Sequence, residues 1–335
     1  MMPEARFVGG VVDIEFTADD VARTRFAVSP LWEVVASVRV LMGADEQGLH
    51  RVWTHQALDR IAAAKLRIPM LTSLVEVPTL SIPGFLAAPP TTAHPTLDLE
   101  LAALRATPPE LVRTSPLGPV RAVAAMRKDP ARSLAMLAEE IEAYWEVAMA
   151  PFWPRVQTLA EADVRYRAKR FAEGGAQRLF ADLSPDVSWH GDTLHLRHRF
   201  TSGRKTLGGR GLLLVPSVFV VPEVFVTLGY DEPLPTLRYP PRGDVGNQAW
   251  QPRPEPGSAA LARILGRGRA NILAELGAPA CTADLARRLG KTPGAISQHL
   301  GAMRAAGLVS AHRSGRIVLY ARTRVAEALF ERPGE

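Results

Sequence analysis

The sequence predicts an α+β chain in two parts: a mostly helical front part carrying a small antiparallel sheet, and a separate C-terminal module of short helices closed by a β-hairpin. Three observations predict it. Up to about residue 181, helix starts marked by proline precede apolar residues at helical spacing. From Val187 to Tyr239 the pattern changes to alternating and β-branched runs. After a Pro- and Gly-rich stretch at 241–257, helical periodicity returns in short capped pieces, together with the chain's whole charge surplus.

Each element has a local reason. Thr17 opens a short capped segment, and Ser29-Pro30 combines a cap with a first-position proline ahead of a helix over 31–41. His50 to about Ile68 is a further helix. Asp129-Pro130 opens a long one through Ala150, ended by Pro151 and Pro154, and another spans 156–180. Residues 70–96, rich in Pro and Thr, read as an extended, surface-running connection. In the β region, Leu194, Leu196, His198 and Phe200 alternate with His195, Arg197 and Arg199, the mark of a half-buried strand. The stretches 212–215 and 218–228 are β-branched, and Pro216 and Pro222 fit edges or bulges. The expected division is 1–181 helical domain, 182–240 antiparallel β region packed on it, 241–257 linker and 258–331 C-terminal module. Trp250 is out of place in a free linker and is expected to dock it onto a neighbouring domain.

The C-terminal module is the most legible part. Thr282-Ala283-Asp284-Leu285-Ala286-Arg287-Arg288-Leu289-Gly290 reads as a short helix capped by Thr282 and stopped by Gly290. Thr292 and Pro293 start a second helix, in which Ile296, Leu300 and Met303 make one apolar stripe. Away from that stripe lie Gly294, Gln298, Gly301 and Ala305, flanked by Ser297 and Ala302. A solvated face would carry Lys and Glu; a small, uncharged face with one amide suits insertion into a groove. Gln and Ser can hydrogen-bond base edges. Two short helices joined by a Gly-containing turn form a helix-turn-helix, whose second helix enters the major groove. Residues 308–313 and 316–322, joined by Ser314-Gly315, read as a hairpin, which in this position is a wing. Arg313 and Arg316 flank its tip, within reach of phosphates or the minor groove.

Residues 259–330 resemble the winged helix-turn-helix of ArsR-type bacterial transcription regulators. The matching features are Ser297-x-His299-Leu300, the Ala306-Gly307-Leu308-Val309 exit and the Arg313-Ser314-Gly315-Arg316 tip. The resemblance implies double-stranded DNA as partner, with Gln298 and Ser297 contacting bases, Thr292 a phosphate and Arg316 the flanking minor groove. Arg304 and Arg313 join them as DNA contacts. His299, beside the apolar stripe, fits packing or phosphate positioning better than base reading. The resemblance also implies a homodimer built on helices flanking the motif, and habitually repression. The last helix expected here, 324–330, is short, so the front domain is an alternative place for that interface. Metal-sensing members carry paired cysteines before the recognition helix; this chain has Cys281 alone, so neither metal nor cofactor is expected.

The front part carries a second resemblance. Residues 16–33, from Phe16-Thr17-Ala18-Asp19-Asp20 to Pro30-Leu31-Trp32-Glu33, are similar to the opening of an uncharacterised domain found ahead of winged helices in regulators of high-GC actinobacteria. Leu207-Gly208-Gly209-Arg210-Gly211 through Ser217 matches it as well. The 35 Arg against 5 Lys fit a high-GC genome. This resemblance implies an architecture and no chemistry.

Charge supports DNA binding independently. From Ser258 onward there are 12 Lys plus Arg against 5 Asp plus Glu, whereas the rest holds 28 basic and 29 acidic residues. A localised basic surplus is the footprint of phosphate binding. The N-terminus shows no apolar signal core, and no apolar run is long enough to span a membrane. A cytoplasmic, nucleoid-associated protein is expected.

Enzymatic signals are weak. His190, His195 and His198 lie close in sequence, but His195 and His198 point to opposite faces of a strand. Gly208-Gly209-Arg210-Gly211 precedes a strand-like run rather than the helix a phosphate loop needs, and reads as a hairpin turn. Glu139, Glu140 and Glu142 read as a solvated helix face. No nucleophile elbow or Walker loop occurs, so no catalytic residue is expected. Tyr144, Trp145, Phe152 and Trp153 cluster at a helix break, where aromatics either line a ligand cavity or fill a core. Tyr144, Trp145 and Trp153 are the candidate ligand-binding residues for a small-molecule effector. Two readings follow: a dimeric, sequence-specific regulator whose front domain senses or dimerises, and a protein-interaction scaffold whose winged helix binds DNA with little sequence preference.

Overall fold

The computed structural model describes residues 10–75, 77, 82–115, 121–198, 202–220, 224–228, 234–242, 250, 258–277, 279–314 and 317–329. The chain divides into two compact units, Met1–Trp250 and Gln251–Glu335.

In the first unit the capping signals set the helices. Thr17 and Asp20 form a reciprocal capping box on α1 (Ala18–Arg23). Ser29 caps α2 (Pro30–Arg39), which runs into a wide π turn, Val40–Ala44. Then come α3 (Arg51–Ala64), α4 (Pro69–Leu74), α5 (Leu97–Arg105), α6 (Pro109–Thr114) and α7 (Arg121–Lys128). Asp129 caps α8 (Pro130–Tyr144), which ends in a second π turn, Trp145–Met149. The long α9 (Trp153–Phe180) breaks internally at Gly174 and Gly175. Glu140 is not simply solvated: its carboxylate accepts the Met70 and Leu71 N–H groups at 3.2 and 2.9 Å and so caps α4. Residues 82–87 do not run over the surface either. The turn at Pro83-Gly84 folds Phe85 and Leu86 into the core, because this short apolar run has more to gain from burial than from solvent.

Among the described residues, two four-stranded sheets accompany these helices. The first has the order β3 (Val187–His190), β4 (Thr193–His198), β1 (Gly10–Glu15), β5 (Gly203–Thr206). Within it β1 is antiparallel to β4 and parallel to β5. The second has the order β2 (Arg25–Phe26), β6 (Leu213–Pro216), β8 (Thr236–Tyr239), β7 (Phe225–Thr227), and β6 runs parallel to both β2 and β8. The sheets are therefore mixed where the sequence suggested antiparallel pairing alone. Parallel neighbours need a long crossover, and the helical body between β2 and β6 supplies one. The alternation read at 194–197 holds, with Leu194 and Leu196 buried and Arg197 exposed.

Two main cores result. Ile14, Phe16, Phe180, Trp189, Leu194 and Leu196 pack beneath the first sheet. Trp32, Trp53, Ile141, Tyr144 and Phe219 lie among those that fill the helical body, with Trp250 inserted beside them. The Trp250 ring stacks on Phe219 at 5.3 Å, and its Nε1 donates to His50 Nδ1 at 3.1 Å. The Gly-rich turn after Leu207 joins strands of different sheets, so it is a connection and not a hairpin turn.

The second unit contains α10 (Ser258–Leu265), α11 (Arg267–Glu275), β9 (Ala280–Cys281), α12 (Thr282–Leu289), α13 (Pro293–Ala305), β10 (Val309–Ser314), β11 (Ile317–Arg322) and α14 (Arg324–Ala328). Its three strands pair antiparallel in the order β10-β11-β9. Leu273, Leu285, Ile296, Leu300 and Met303 make its core. The N-cap position of α12 falls on Cys281, one residue before the expected Thr282, because pairing of Cys281 with Leu319 keeps the chain extended to that point. The Cys281 thiol donates to the Asp284 carboxylate at 3.1 Å.

Candidate nucleic-acid interface

The geometry of α12, its turn and α13 is fixed locally. Gly290 ends α12 in the left-handed conformation, φ 59°, which glycine adopts without a Cβ penalty. Lys291 N–H then returns to the Ala286 carbonyl at 3.0 Å, so the chain turns at once into α13. Thr292 caps α13 by accepting the Ala295 N–H at 3.3 Å, and Pro293 takes the first position. A residue with a capping hydroxyl at the entrance of a helix sits where the helix dipole favours an anion.

One face of α13 is buried through Ile296, Leu300 and Met303, each 2 % exposed or less. The opposite face presents Gly294, Ser297, Gln298, Gly301, Ala302 and Ala305, all exposed. It carries no charge until Arg304, also exposed, in the last turn. His299 is half-buried, with its ring against the backbone of α11: a Cβ on Gly268 would lie 3.2 Å from its Nε2. The glycine thus leaves room for the imidazole, and His299 joins α13 to α11.

After α13, Gly307 turns the chain at φ 69° into β10 and β11, which pair from Val309–Arg322 to Ser314–Ile317. This hairpin is the wing. Arg313 lies on β10 opposite Val318, but its side chain is outside the described residues, and Arg316 is outside them altogether. Arg322 anchors the wing's return strand by donating to the Leu273 and Ala274 carbonyls at the end of α11.

Residues 271–311 match the family described as "Bacterial regulatory protein, arsR family". The C-terminal unit is an ArsR-family helix-turn-helix domain. It makes this chain a DNA-binding transcription regulator. Residues 110–243 match a second family, described as a family of unknown function (DUF5937), so the ArsR-family domain is preceded by one whose chemistry is not defined. No curated protein and no solved structure matches the chain.

Sequence reading passed over three exposed cations near the ArsR-family helix pair. Lys291 stands in the turn immediately before Thr292, and Arg267 and Arg269 flank the Gly268 that receives His299. The Gly266-Arg267-Gly268-Arg269 run was the available signal; without α11 against α13 it read only as part of a diffuse basic surplus.

In the front unit the aromatic candidates separate. Tyr144 is fully buried, its hydroxyl 3.0 Å from Ser37 Oγ, so it belongs to the core. Trp145 and Trp153 are half-buried and meet with ring centroids 5.0 Å apart, on the wall of a cleft. His195 Nδ1 lies 2.7 Å from Asp13 Oδ1 and its ring 5.5 Å from that of His190; the His198 side chain is outside the described residues. Among the described residues no helix is long and apolar enough to cross a membrane.

Proposed function

We propose that this protein is a dimeric, sequence-specific transcription repressor whose front unit is the sensing or dimerisation body. The observation that carries the reading is the exposed face of α13, small and uncharged apart from its final arginine, with Ser297 and Gln298 at its centre. Such a helix lies in the major groove with little steric or desolvation cost, and Gln298 then hydrogen-bonds a base edge, with adenine the preferred match for an amide. Thr292, at the positive end of the helix dipole, receives a phosphate oxygen. Lys291, Arg304, Arg267 and Arg269 supply sequence-independent attraction to the backbone, and Arg313 and Arg316 do so from the wing. His299 positions α13 without touching bases.

Apolar side chains left in solvent on helices flanking the motif support a dimer. Ile264 on α10 is 78 % exposed and Val325 on α14 is 62 % exposed, apolar surface that a second copy would cover. A two-fold dimer places its recognition helices on half-sites about 34–36 Å apart. Repression then follows from occupying a promoter in competition with polymerase, on the nucleoid in the cytoplasm. An effector relieves it only by binding the DNA-competent and incompetent states with different affinity.

Selection of fragmented host genomic DNA by the purified protein at near-physiological salt tests the reading. A few enriched promoter regions sharing a palindrome are the expected result. Diffuse enrichment along the genome contradicts it and supports the low-specificity scaffold.

A further inference from the structure

Where α8 gives way to α9, the helix widens by one residue. The Ala150 N–H reaches back to the Trp145 carbonyl at 2.7 Å in a π turn, and Pro151 and Pro154 then redirect the chain. Such widened turns recur at functional sites. Here the turn brings Trp145 and Trp153 together, tilted 57° to one another, on the wall of a cleft of about 440 Å³ that the start of α5 also lines. That volume is in the range of small-molecule pockets.

The charge around the cleft has one dominant sign. Asp98, Glu142 and Glu146 line it, and among the described residues His94 is its only other ionisable group. Glu142 is already held by Arg105 at 2.6 Å. Asp98 and Glu146 are exposed and make no ion pair among the described residues. Two indole rings beside uncompensated carboxylates are poorly suited to an anion, and an uncharged ligand would leave the carboxylates unused. They suit a cation with an apolar or aromatic body, attracted by the ring faces and the carboxylates together.

We propose that this cleft is the effector site of the front unit and that its ligand is a small organic cation, an aromatic or alkyl ammonium compound. The proposal rests on the front unit being a sensing body, so its test is made without DNA. Calorimetric titration of the full chain with tryptamine, tryptophol and indole-3-acetate compares one indole body carrying a positive, zero or negative charge. Tryptamine binds; tryptophol is weaker by about fivefold, as expected when exposed charge pairs are lost; indole-3-acetate does not bind. In the Asp98→Asn, Glu146→Gln double variant, whose two sites are exposed, tryptamine falls to the affinity of tryptophol while near-ultraviolet circular dichroism shows the fold retained. Equal affinity for the three compounds, undiminished tryptamine binding by the double variant, or no binding of tryptamine by folded native protein at millimolar concentration overturns the assignment. A chain that binds tryptamine but selects no DNA sequence overturns the repressor reading instead, so the two failures are distinct.

Discussion

Glu33 and Val218, 185 residues apart in sequence, are joined where Glu33 Oε1 accepts the Val218 N–H at 2.7 Å. The other carboxylate oxygen accepts from Ser217 Oγ at 3.0 Å and the Phe219 N–H at 3.2 Å. A parallel link runs from Asp20, whose Oδ1 accepts the Gly211 N–H at 3.0 Å. The two stretches that the sequence marks by a common resemblance, 16–33 and 207–217, are therefore held together in space by the Asp20 carboxylate on the Gly211 amide and the Glu33 carboxylate on the Ser217 hydroxyl. The Glu33 carboxylate completes the loop that seats Phe219 against Trp53 and Trp250. Glu33→Ala strands three buried donors and is expected to cost about 3 kcal/mol or more. A fall in the melting temperature of the front unit by near-ultraviolet circular dichroism checks this; an unchanged melt contradicts the role.

Gly211 gives a sharper geometric test. Its φ is 75°, and a Cβ there would lie 2.6 Å from the backbone of Arg23. Gly191 has a similar φ, 64°, with nothing within 4 Å of its Cβ position. Both alanine variants bear the strain of a positive φ, roughly 1 kcal/mol. Only Gly211→Ala also pushes α1 off the β6 loop, so it melts at a lower temperature than Gly191→Ala. Equal melting of the two would show that the Arg23 contact carries nothing.

Stability should depend on pH through two buried acids. Burial pushes Glu33 up to about 7 in spite of its three donors. Burial likewise pushes Glu100 up to about 7, against the bonds from Ser29 and Leu31 and the charge of Arg238. Each binds a proton more tightly folded than unfolded. Their contribution is complete below pH 4.5 and is lost as pH rises through about 7. The loss is on the order of 1–3 kcal/mol for each group. Glu100→Gln reproduces the protonated form, because Ser29 Oγ can accept from the amide and the Leu31 N–H can still donate to its carbonyl. Denaturant titrations at pH 5, 6, 7 and 8 should show a flatter decline for this variant than for the native chain. Identical slopes contradict the assignment.

Trp250 fixes the point at which the chain leaves the front unit. It is 4 % exposed and touches Phe219, Trp53 and Phe152. Trp250→Ala is expected to cost about 3–5 kcal/mol through cavity formation and to speed proteolysis between the two units. Native-rate cleavage by trypsin, with an unshifted melt, would count against an anchoring role.

What the sequence discloses follows from the range of the interactions. The C-terminal unit was readable because Gly290, Thr292, Pro293 and the Ile296, Leu300, Met303 stripe act over a few residues. Ser29-Pro30 and Asp129-Pro130 marked α2 and α8 for the same reason. The sheets were not readable in this way. Strand β1 has only six residues and finds β4 and β5 nearly two hundred positions later. No local signal in Val12 or Ile14 specifies parallel pairing with Gly203 or Lys205. Trp145 and Trp153 were visible as aromatics near a helix break, but the carboxylates opposite them come partly from α5, whose start the Pro- and Thr-rich stretch before it obscured. Tyr144 was grouped with them by adjacency in sequence, and helical geometry turned it inward.

The central claim is that the outward face of α13 reads bases, and the affinity of Gln298→Ala for selected and unrelated DNA tests it most directly, with Arg304→Ala as companion. The account predicts that Gln298→Ala lowers affinity for the selected sequence by about 1–3 kcal/mol and leaves unrelated DNA unchanged, relaxing preference at one base pair. Arg304→Ala should weaken both alike and reduce the salt dependence by about one counterion. Equal loss on selected and unrelated DNA for Gln298→Ala would contradict a base-reading α13.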